Sequence, residues 1–501
     1  MIEPGSEPRT ALEMFDRRVE ADPESVFVIT PDGVERTYSQ IDAAVDRLVD
    51  VLGEAGVAPG SAVLLHLWND PAWVVATLAC WRLDAAMVAC GGQSPVGEAA
   101  RRAERLEVRV AVAAEDLAPV AELTSVVVDR EGGASSIATS VAPRAVPEPS
   151  DLAAVFFTSG TTGEPKPVRL SHAAVAAAPR STAVAYSRSA AFRPRAATSS
   201  TAPAVSFNPF GHRATLGRVV FRLFIGRPVV LVRKFDVETM QALAGRYAFD
   251  TLQLTPAMIY ALAFTELDVA LGSLRYVNSG TAPLPVATRD AFERRYGVPV
   301  LVAYGSTEGS VTALERYDDV VNGRRGPGSV GRVTDGTEFR IIDADGNDVP
   351  PGEAGELVGR PRPDAGLAVD ADGWHHTGDL AQLDEHGILS ITGRIDDMMI
   401  VGGFNVMPGQ IEDLLRTHPA VHDAVVVPMP DDRLGDVPVA GIVFAGPPVA
   451  DDVLAAHCRA SIEAFKVPRR WFALGELPLT AAGKLDRRAA QRLASARQDA
   501  E

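Results

Sequence analysis

Cysteine is scarce in this chain: three residues in 501, Cys80, Cys90 and Cys458. They form neither a disulfide framework nor a metal-ligand spacing, so packed free thiols in a reducing compartment are expected. Excess basic charge is also missing. Against 48 Lys and Arg stand 65 Asp and Glu, a net charge of −17. That balance argues against general nucleic-acid binding and against attraction to an anionic membrane surface. No long uncharged apolar run is present. The best stretch, residues 72–90, is broken by Arg82 and Asp84 and reads as a buried helix with a turn, not a membrane span. Met1-Ile2-Glu3-Pro4 begins acidic and lacks the apolar segment of a secretory signal. A cytoplasmic location is the expectation. There is no Gly-Lys-Ser/Thr triplet of a Walker A loop and no convincing Gly-x-Gly-x-x-Gly unit opening a helix, which disfavours kinases and dehydrogenases built on those motifs.

What is present is a globular composition, 47% hydrophobic and 23% charged, over a length that calls for two or more domains. Residues 39–52 carry apolar side chains at helical spacing after Ser39, a candidate cap. Residues 62–67, 108–113, 125–128 and 152–157 read as short buried strands, and 130–150 as an exposed connection rich in Gly, Ser, Ala and Pro. Strand candidates continue at 228–232, 251–254 and 274–278. Such alternation with helices predicts an α/β fold of layered, largely parallel sheets. From 320 to 392 short strands lie between turns, 343–346 being a tight one, which predicts a small β-rich subdomain. After Arg394 a small α+β region follows. Helices are expected at 408–416, opened by a Pro, and 451–464, with strands at 424–427, 439–444 and 471–474.

The most informative run is Thr158-Ser159-Gly160-Thr161-Thr162-Gly163-Glu164-Pro165-Lys166, directly after a buried strand. Glycines let backbone N–H groups approach phosphate oxygens, hydroxyls add donors, and Lys166 offers a point charge. Downstream, in order, come Tyr304-Gly305-Ser306-Thr307-Glu308, Trp374-His375-His376-Thr377-Gly378-Asp379, Gly393-Arg394-Ile395-Asp396-Asp397, Gly402-Gly403, and Pro478-Leu479-Thr480-Ala481-Ala482-Gly483-Lys484. In this order the motifs resemble the adenylate-forming superfamily of acyl- and aryl-CoA ligases, stand-alone adenylation domains and luciferases. The resemblance covers roughly the whole length and is thinnest over the first ~150 residues.

The resemblance implies a large N-terminal domain, 1–394, and a mobile C-terminal domain, 395–501, hinged at Asp396. It implies ATP, Mg²⁺ and coenzyme A as reactants and cofactor, and a small carboxylic acid as substrate. The 158–166 loop would hold the β- and γ-phosphates. Tyr304 would stack on adenine beside the segment Asn278-Ser279-Gly280-Thr281-Ala282-Pro283, Thr307 would bond the α-phosphate and Glu308 would hold Mg²⁺. Asp379 would accept from the ribose hydroxyls, with Arg394 near ribose and phosphate or in an interdomain salt bridge. Lys484 resembles the lysine that reaches the acyl carboxylate during adenylation. Gly402-Gly403 would border a passage for the pantetheine thiol or form a plain turn, and Arg469 and Arg470 would meet the CoA nucleotide or form a solvated basic face.

Residues 206–212, Ser-Phe-Asn-Pro-Phe-Gly-His, match the region where the acyl group enters. His212 resembles a gate residue, and Phe207, Phe210 and Tyr260 are candidates for an apolar pocket or plain core. Relatives that activate α-amino acids place an Asp here for the ammonium group; Asn208 argues for an acid without one. Phe404 and Met398-Met399 depart from the family pattern on the thioester side, where Gly-Gly-Glu-Asn is common. The expected reaction is therefore adenylation followed by transfer to CoA. The alternatives are delivery to a carrier protein or partner enzyme, and a non-catalytic adenylate-binding protein. A homodimer is the base-rate expectation.

Overall fold

The computed structural model describes residues 8–138, 151–158, 166–177, 179, 202–280, 282–305, 311–361, 369–431, 433–479 and 485–498. Among these, the residues up to Asn278 form one compact unit and those from Ser279 onward a second. This boundary is one of packing, whereas the expected division at Arg394 is one of movement.

The first unit is built on a seven-stranded sheet. Its order is Ala134–Ala138, Thr124–Val128, Val110–Ala114, Ala62–Leu67, Ala86–Gly91, Leu152–Thr158, Lys166–Ser171. The five inner strands are parallel and both outer ones antiparallel. Apolar cores cover both faces, which is why Ala86–Gly91 and Val110–Ala114 are apolar nearly throughout. The helix Pro71–Arg82 follows the central strand and has eleven of its twelve residues buried. A helix apolar on all sides has no solvent face to show in its sequence pattern. A smaller sheet runs Ala204–Ser206, Val229–Leu231, Val26–Ile29, Glu35–Thr37.

In the second unit Val300–Gly305, Thr312–Leu314, Ser329–Val333, Leu389–Arg394, His375–Leu383, Ala354–Gly359 and Phe339–Ile342 pair antiparallel in that order. Farther along the chain Val421–Asp431 and Gly435–Phe444 form a long hairpin. Met399–Val401 with Phe404–Val406 extends it at one end, and Arg470–Leu474 pairs in parallel with Gly435–Phe444. These strands and the helices Pro408–Arg416, Asp451–Arg459 and Arg487–Gln498 enclose two apolar clusters of their own.

Several expectations change. Residues 72–90 divide into a helix and the strand Ala86–Gly91, because Asp84 with φ of +50° turns the chain between them. Helix Tyr38–Glu54 is capped by Thr37 instead of Ser39, in a reciprocal box with Gln40. The connection after residue 130 contributes the edge strand Ala134–Ala138. The helix expected to reach 464 stops at Arg459. The sheets are mixed, the run from Val300–Gly305 to Phe339–Ile342 being antiparallel. Cys80, Cys90 and Cys458 are all buried and free, and burial pushes the Cys80 thiol up to about 12. Among the described residues no helix is long and apolar enough to cross a membrane.

One buried ion pair ties this C-terminal region together. Arg487, the first residue of the last helix, donates to both carboxylate oxygens of Glu412, to Val426 O at 3.0 Å and to Asp397 Oδ2 at 3.2 Å. Glu412 Oε1 also accepts the Val426 N–H at 2.8 Å. The Glu412 side chain is 4% exposed and that of Arg487 23%. Removing one member of a buried pair strands the other's charge, which costs more than replacing both with apolar groups. Glu412→Ala is expected to lower unfolding free energy by about 3 kcal/mol, read by denaturant titration, whereas the double variant Glu412→Leu/Arg487→Met should lose clearly less.

Candidate active site

Thr158 and Lys166 lie opposite each other in the antiparallel pair Leu152–Thr158 and Lys166–Ser171. The hydroxyl- and glycine-rich run connects these two strands. Ser159, Gly160, Thr161, Thr162 and Gly163 lie outside the described residues, and Lys166 is exposed at its strand's start. Thr281, Ser306, Thr307, Glu308 and Lys484 also lie outside them.

The second unit brings three of the sequence motifs onto one carboxylate. Tyr304, near the end of the strand Val300–Gly305, donates its hydroxyl to Asp379 Oδ2 at 2.5 Å. Arg394 donates Nη1 to Asp379 Oδ1 at 2.8 Å. Asp379 and Arg394 face each other across neighbouring antiparallel strands, where opposite charges attract. Tyr304 is 75 positions away in the chain. Burial pushes the Asp379 carboxyl up, while the Tyr304 hydroxyl and the Arg394 guanidinium pull it back. Burial, and then the Asp379 charge, hold the Tyr304 hydroxyl well above the usual phenol range, so it stays a donor.

The surrounding motif sets this geometry. Thr377 Oγ1 donates to Leu357 O at 2.6 Å and accepts the Asp379 N–H at 3.1 Å. Gly378 has φ of +69°, and a Cβ there would lie 3.0 Å from Arg394 Nη2, so glycine admits both the turn and the guanidinium. His376 bonds Glu356 Oε2 at 2.9 Å and lies 3.4 Å from Asp370 Oδ2. Ser279 is buried, Ala282 half-buried, and a Cβ on Gly280 would come within 3.2 Å of Ala303 O. That close approach is the physical use of the glycine at the strand's end. Gly305 is exposed.

Around the expected hinge, Asp396 sits in the 3-10 turn Ile395–Asp397, 3.9 Å from Arg394 Nη2. Gly402 and Gly403 form the two-residue loop between Met399–Val401 and Phe404–Val406, with φ of +59° and +90°. That loop demands positive φ at both positions, so the hairpin alone accounts for both glycines. Phe404 is exposed and stacks on Phe465, ring centroids 4.7 Å apart. Arg469 and Arg470 are exposed at the start of the strand Arg470–Leu474.

The expected acyl region is in the first unit. Phe210, offered as pocket lining or core, is core: fully buried and stacked on Trp73 at 3.8 Å. Phe207 is also buried, edge-on to Phe235 at 5.1 Å. Asn208 is buried, and Tyr260 is half-buried against Phe264. His212 caps the helix Arg213–Ile225 with its backbone, its carbonyl accepting the Thr215 N–H at 3.1 Å. Sequence reasoning passed over Asn69 and Asp70, whose only local sign is an Asp-Pro helix start. Nothing in the sequence announces that the main-chain partners of Asn69, and Arg233 for Asp70, lie more than a hundred positions away.

Residues 15–362 match the family model for AMP-binding enzyme, and residues 410–484 the model for AMP-binding enzyme C-terminal domain. The chain belongs to the AMP-binding enzyme family. This AMP-binding enzyme is 28% identical to the medium-chain fatty-acid–CoA ligase of Escherichia coli K12, over 94% of this chain and 88% of that one. The o-succinylbenzoate CoA synthetase of Bacillus subtilis, solved with its acyl-adenylate intermediate, superposes with a TM-score of 0.80 at 25% identity, covering 97% and 98% of the two chains. An amide bond synthetase of Marinactinospora thermotolerans superposes with 0.79 at 26% identity, covering 96% and 99%. The adenylate-forming, acid–CoA ligase character that the motif order implied stands, as does the mixed α/β architecture with a large N-terminal and a small C-terminal part.

The carboxylates around His376 predict a pH dependence of stability. The hydrogen bond to Glu356, with further help from Asp370, raises its imidazole above the ordinary value. A raised folded value stabilises fully below about pH 6.5, the ordinary imidazole value, and that stabilisation is lost as pH rises through the folded value. The thermal midpoint is expected to fall from about pH 6 to about pH 8 by a margin that His376→Gln reduces. An unchanged slope in the variant would show that His376 carries none of it.

Proposed function

We propose that this AMP-binding enzyme activates a carboxylic acid lacking an α-amino group, through an acyl-adenylate, and passes the acyl group to coenzyme A. A carboxylate is a poor acyl donor because oxide leaves badly. Its oxygen attacks the α-phosphorus of ATP and pyrophosphate departs. The CoA thiol, losing its proton, then attacks the acyl carbon and AMP departs. Charge develops on the transferring phosphoryl group, so cations and aligned donors are needed there. Lys484 supplies a cation for the acyl and phosphate oxygens, the 158–166 run donors for the β- and γ-phosphates, and Thr307 a hydroxyl for the α-phosphate. Mg²⁺ takes one or two protein carboxylates and completes its shell with phosphate oxygens and water, so Glu308 suits it chemically. Bound there, the ion neutralises phosphate charge.

The observation that carries this reading is the Asp379 carboxylate, bonded by Tyr304 on one oxygen and Arg394 on the other. Each oxygen keeps a second acceptor position, so a diol such as the ribose 2′- and 3′-hydroxyls has two sites on one rigid group. Tyr304, tied to the same carboxylate, would cover the attached base with its ring. Residues 395–501 would turn as a body against 1–394 about Asp396, withdrawing Lys484 and presenting Gly402-Gly403 to the thiol arm. Their own apolar clusters support treating them as one body.

A second reading is favoured by Phe404. Its 58% exposed ring stands where the family carries a charged residue. Transfer to a carrier protein, or to an amine as the name of the Marinactinospora relative suggests for that enzyme, would make a different demand on this surface. The reading places the enzyme in the cytoplasm, where ATP and CoA meet reduced thiols. A homodimer is its base-rate assembly.

The test is mass spectrometry of reactions with ATP, Mg²⁺ and a panel of carboxylic acids, with and without CoA. Acyl-CoA is the expected product. Acyl-AMP persisting beside CoA would shift the assignment to another acceptor. Lys484→Ala is expected to lower acid-dependent ATP–pyrophosphate exchange by at least ~100-fold; unchanged exchange would remove Lys484 from the chemistry.

A further inference from the structure

The turn Trp68-Asn69-Asp70 joins the central parallel strand Ala62–Leu67 to the helix Pro71–Arg82, and all three side chains reach far along the chain. Asn69 makes three buried hydrogen bonds, every one to main chain. Its Nδ2 donates to Asn208 O at 2.7 Å and to Val232 O at 3.0 Å, and its Oδ1 accepts the Phe210 N–H at 3.0 Å. Arg233, the next residue after Val232, is held by Asp70 and Asp116, each at 2.6 Å. Trp68 Nε1 donates to the same Asp116 at 2.9 Å. Thr215 closes the other side, its hydroxyl 3.0 Å from both Asn208 O and Pro209 O. Phe210 is clamped from below by Trp73, one turn into the helix.

These contacts press residues 208–211 against the carboxyl ends of the parallel strands. A Cβ on Gly211 would lie 3.2 Å from the backbone nitrogen of Gly91, the last residue of its strand. In open α/β sheets that edge is where ligands sit. Asn is the side chain that meets this set: an Asp lacks the two N–H donations and a Ser lacks the reach. A buried amide satisfied three times is rigid, because releasing it leaves its partners' donors and acceptors unpaired.

We infer that Asn69, assisted by Thr215, is a positioning residue for the acid substrate: it fixes the main chain of residues 208–210, and through it the acyl site. This rests on the reading of residues 206–212 as the acyl region. Among the described residues the side-chain hydrogen bonds of Asn69 and Thr215 go to the main chain of 208–210 and 232, so the effect should fall on the acid and not on ATP.

The test uses the full-length enzyme and acid-dependent ATP–pyrophosphate exchange with the acid that the wild-type enzyme turns over best. Asn69→Ala and the isosteric Thr215→Val are compared, with Thr215→Ser as the variant that keeps the hydroxyl. In the first two, KM for the acid is expected to rise by about tenfold or more, with KM for ATP moving less than about twofold, and the ranking of acids in the panel should change. Thr215→Ser should restore the wild-type values. If Asn69→Ala is too unstable to assay, Thr215→Val carries the test alone. Equal rises in both KM values, or a fall in kcat with acid KM and ranking unchanged in a folded variant, would overturn the inference. Wild-type exchange with no acid of the panel would instead count against the functional reading itself.

Discussion

A carboxylate largely withdrawn from water needs partners, and Asp379 has two that come from different strands. The pairing with Arg394 is set by sheet register, since the two residues are cross-strand neighbours. The pairing with Tyr304 draws in a strand farther along the same sheet. Burial of the acid raises the cost of its charge, and the hydroxyl and guanidinium offset that cost. The antiparallel order of this unit is what sets the three side chains on one another, and on the proposed reading it is also a condition for binding the nucleotide. Arg394 ends its strand, and the next residues are the turn expected to act as a hinge. On the proposed reading, nucleotide binding and the hinge would therefore meet within a few residues.

The C-terminal region repeats the theme with a different aim. Arg487 links the final helix to Glu412, to the strand at Val426 and to Asp397 beside the hinge turn. Glu412 and Arg487 gain little from one another over an apolar pair, but each is costly without the other. What the network secures is a fixed relation between the two ends of the region, which a body that turns as a unit requires.

The chemistry of this chain was more legible in its sequence than its packing. Ordered motifs named Tyr304, Asp379 and Arg394, and the structure sets them on one another. Strands such as Ala62–Leu67 and Thr251–Leu254 and the helix Pro408–Arg416 fall where periodicity and the proline put them. The stretch 72–90 reads as a buried helix with a turn, and the strand Ala86–Gly91 is missed, since full burial erases the period that tells helix from strand. Phe210 and the pocket show the same limit. An aromatic residue beside a motif does not say whether its ring faces a ligand or Trp73. Asn69 was silent for a related reason: a side chain whose partners are all main-chain atoms leaves no complementary residue type elsewhere to notice.

That last feature bears on how such a scaffold acquires new specificities. Asn69 and Thr215 grip carbonyls and an N–H, groups that nearly every amino acid carries. The anchor is therefore indifferent to which side chains occupy the segment it holds. Those positions can drift, exchanging bulk or polarity, while the frame beneath them stays registered to the sheet. Inheritance of the frame and variation of its contents are separated at the level of individual atoms, and if the segment does line the acyl site, a lineage built this way could explore acids without relearning how to fold.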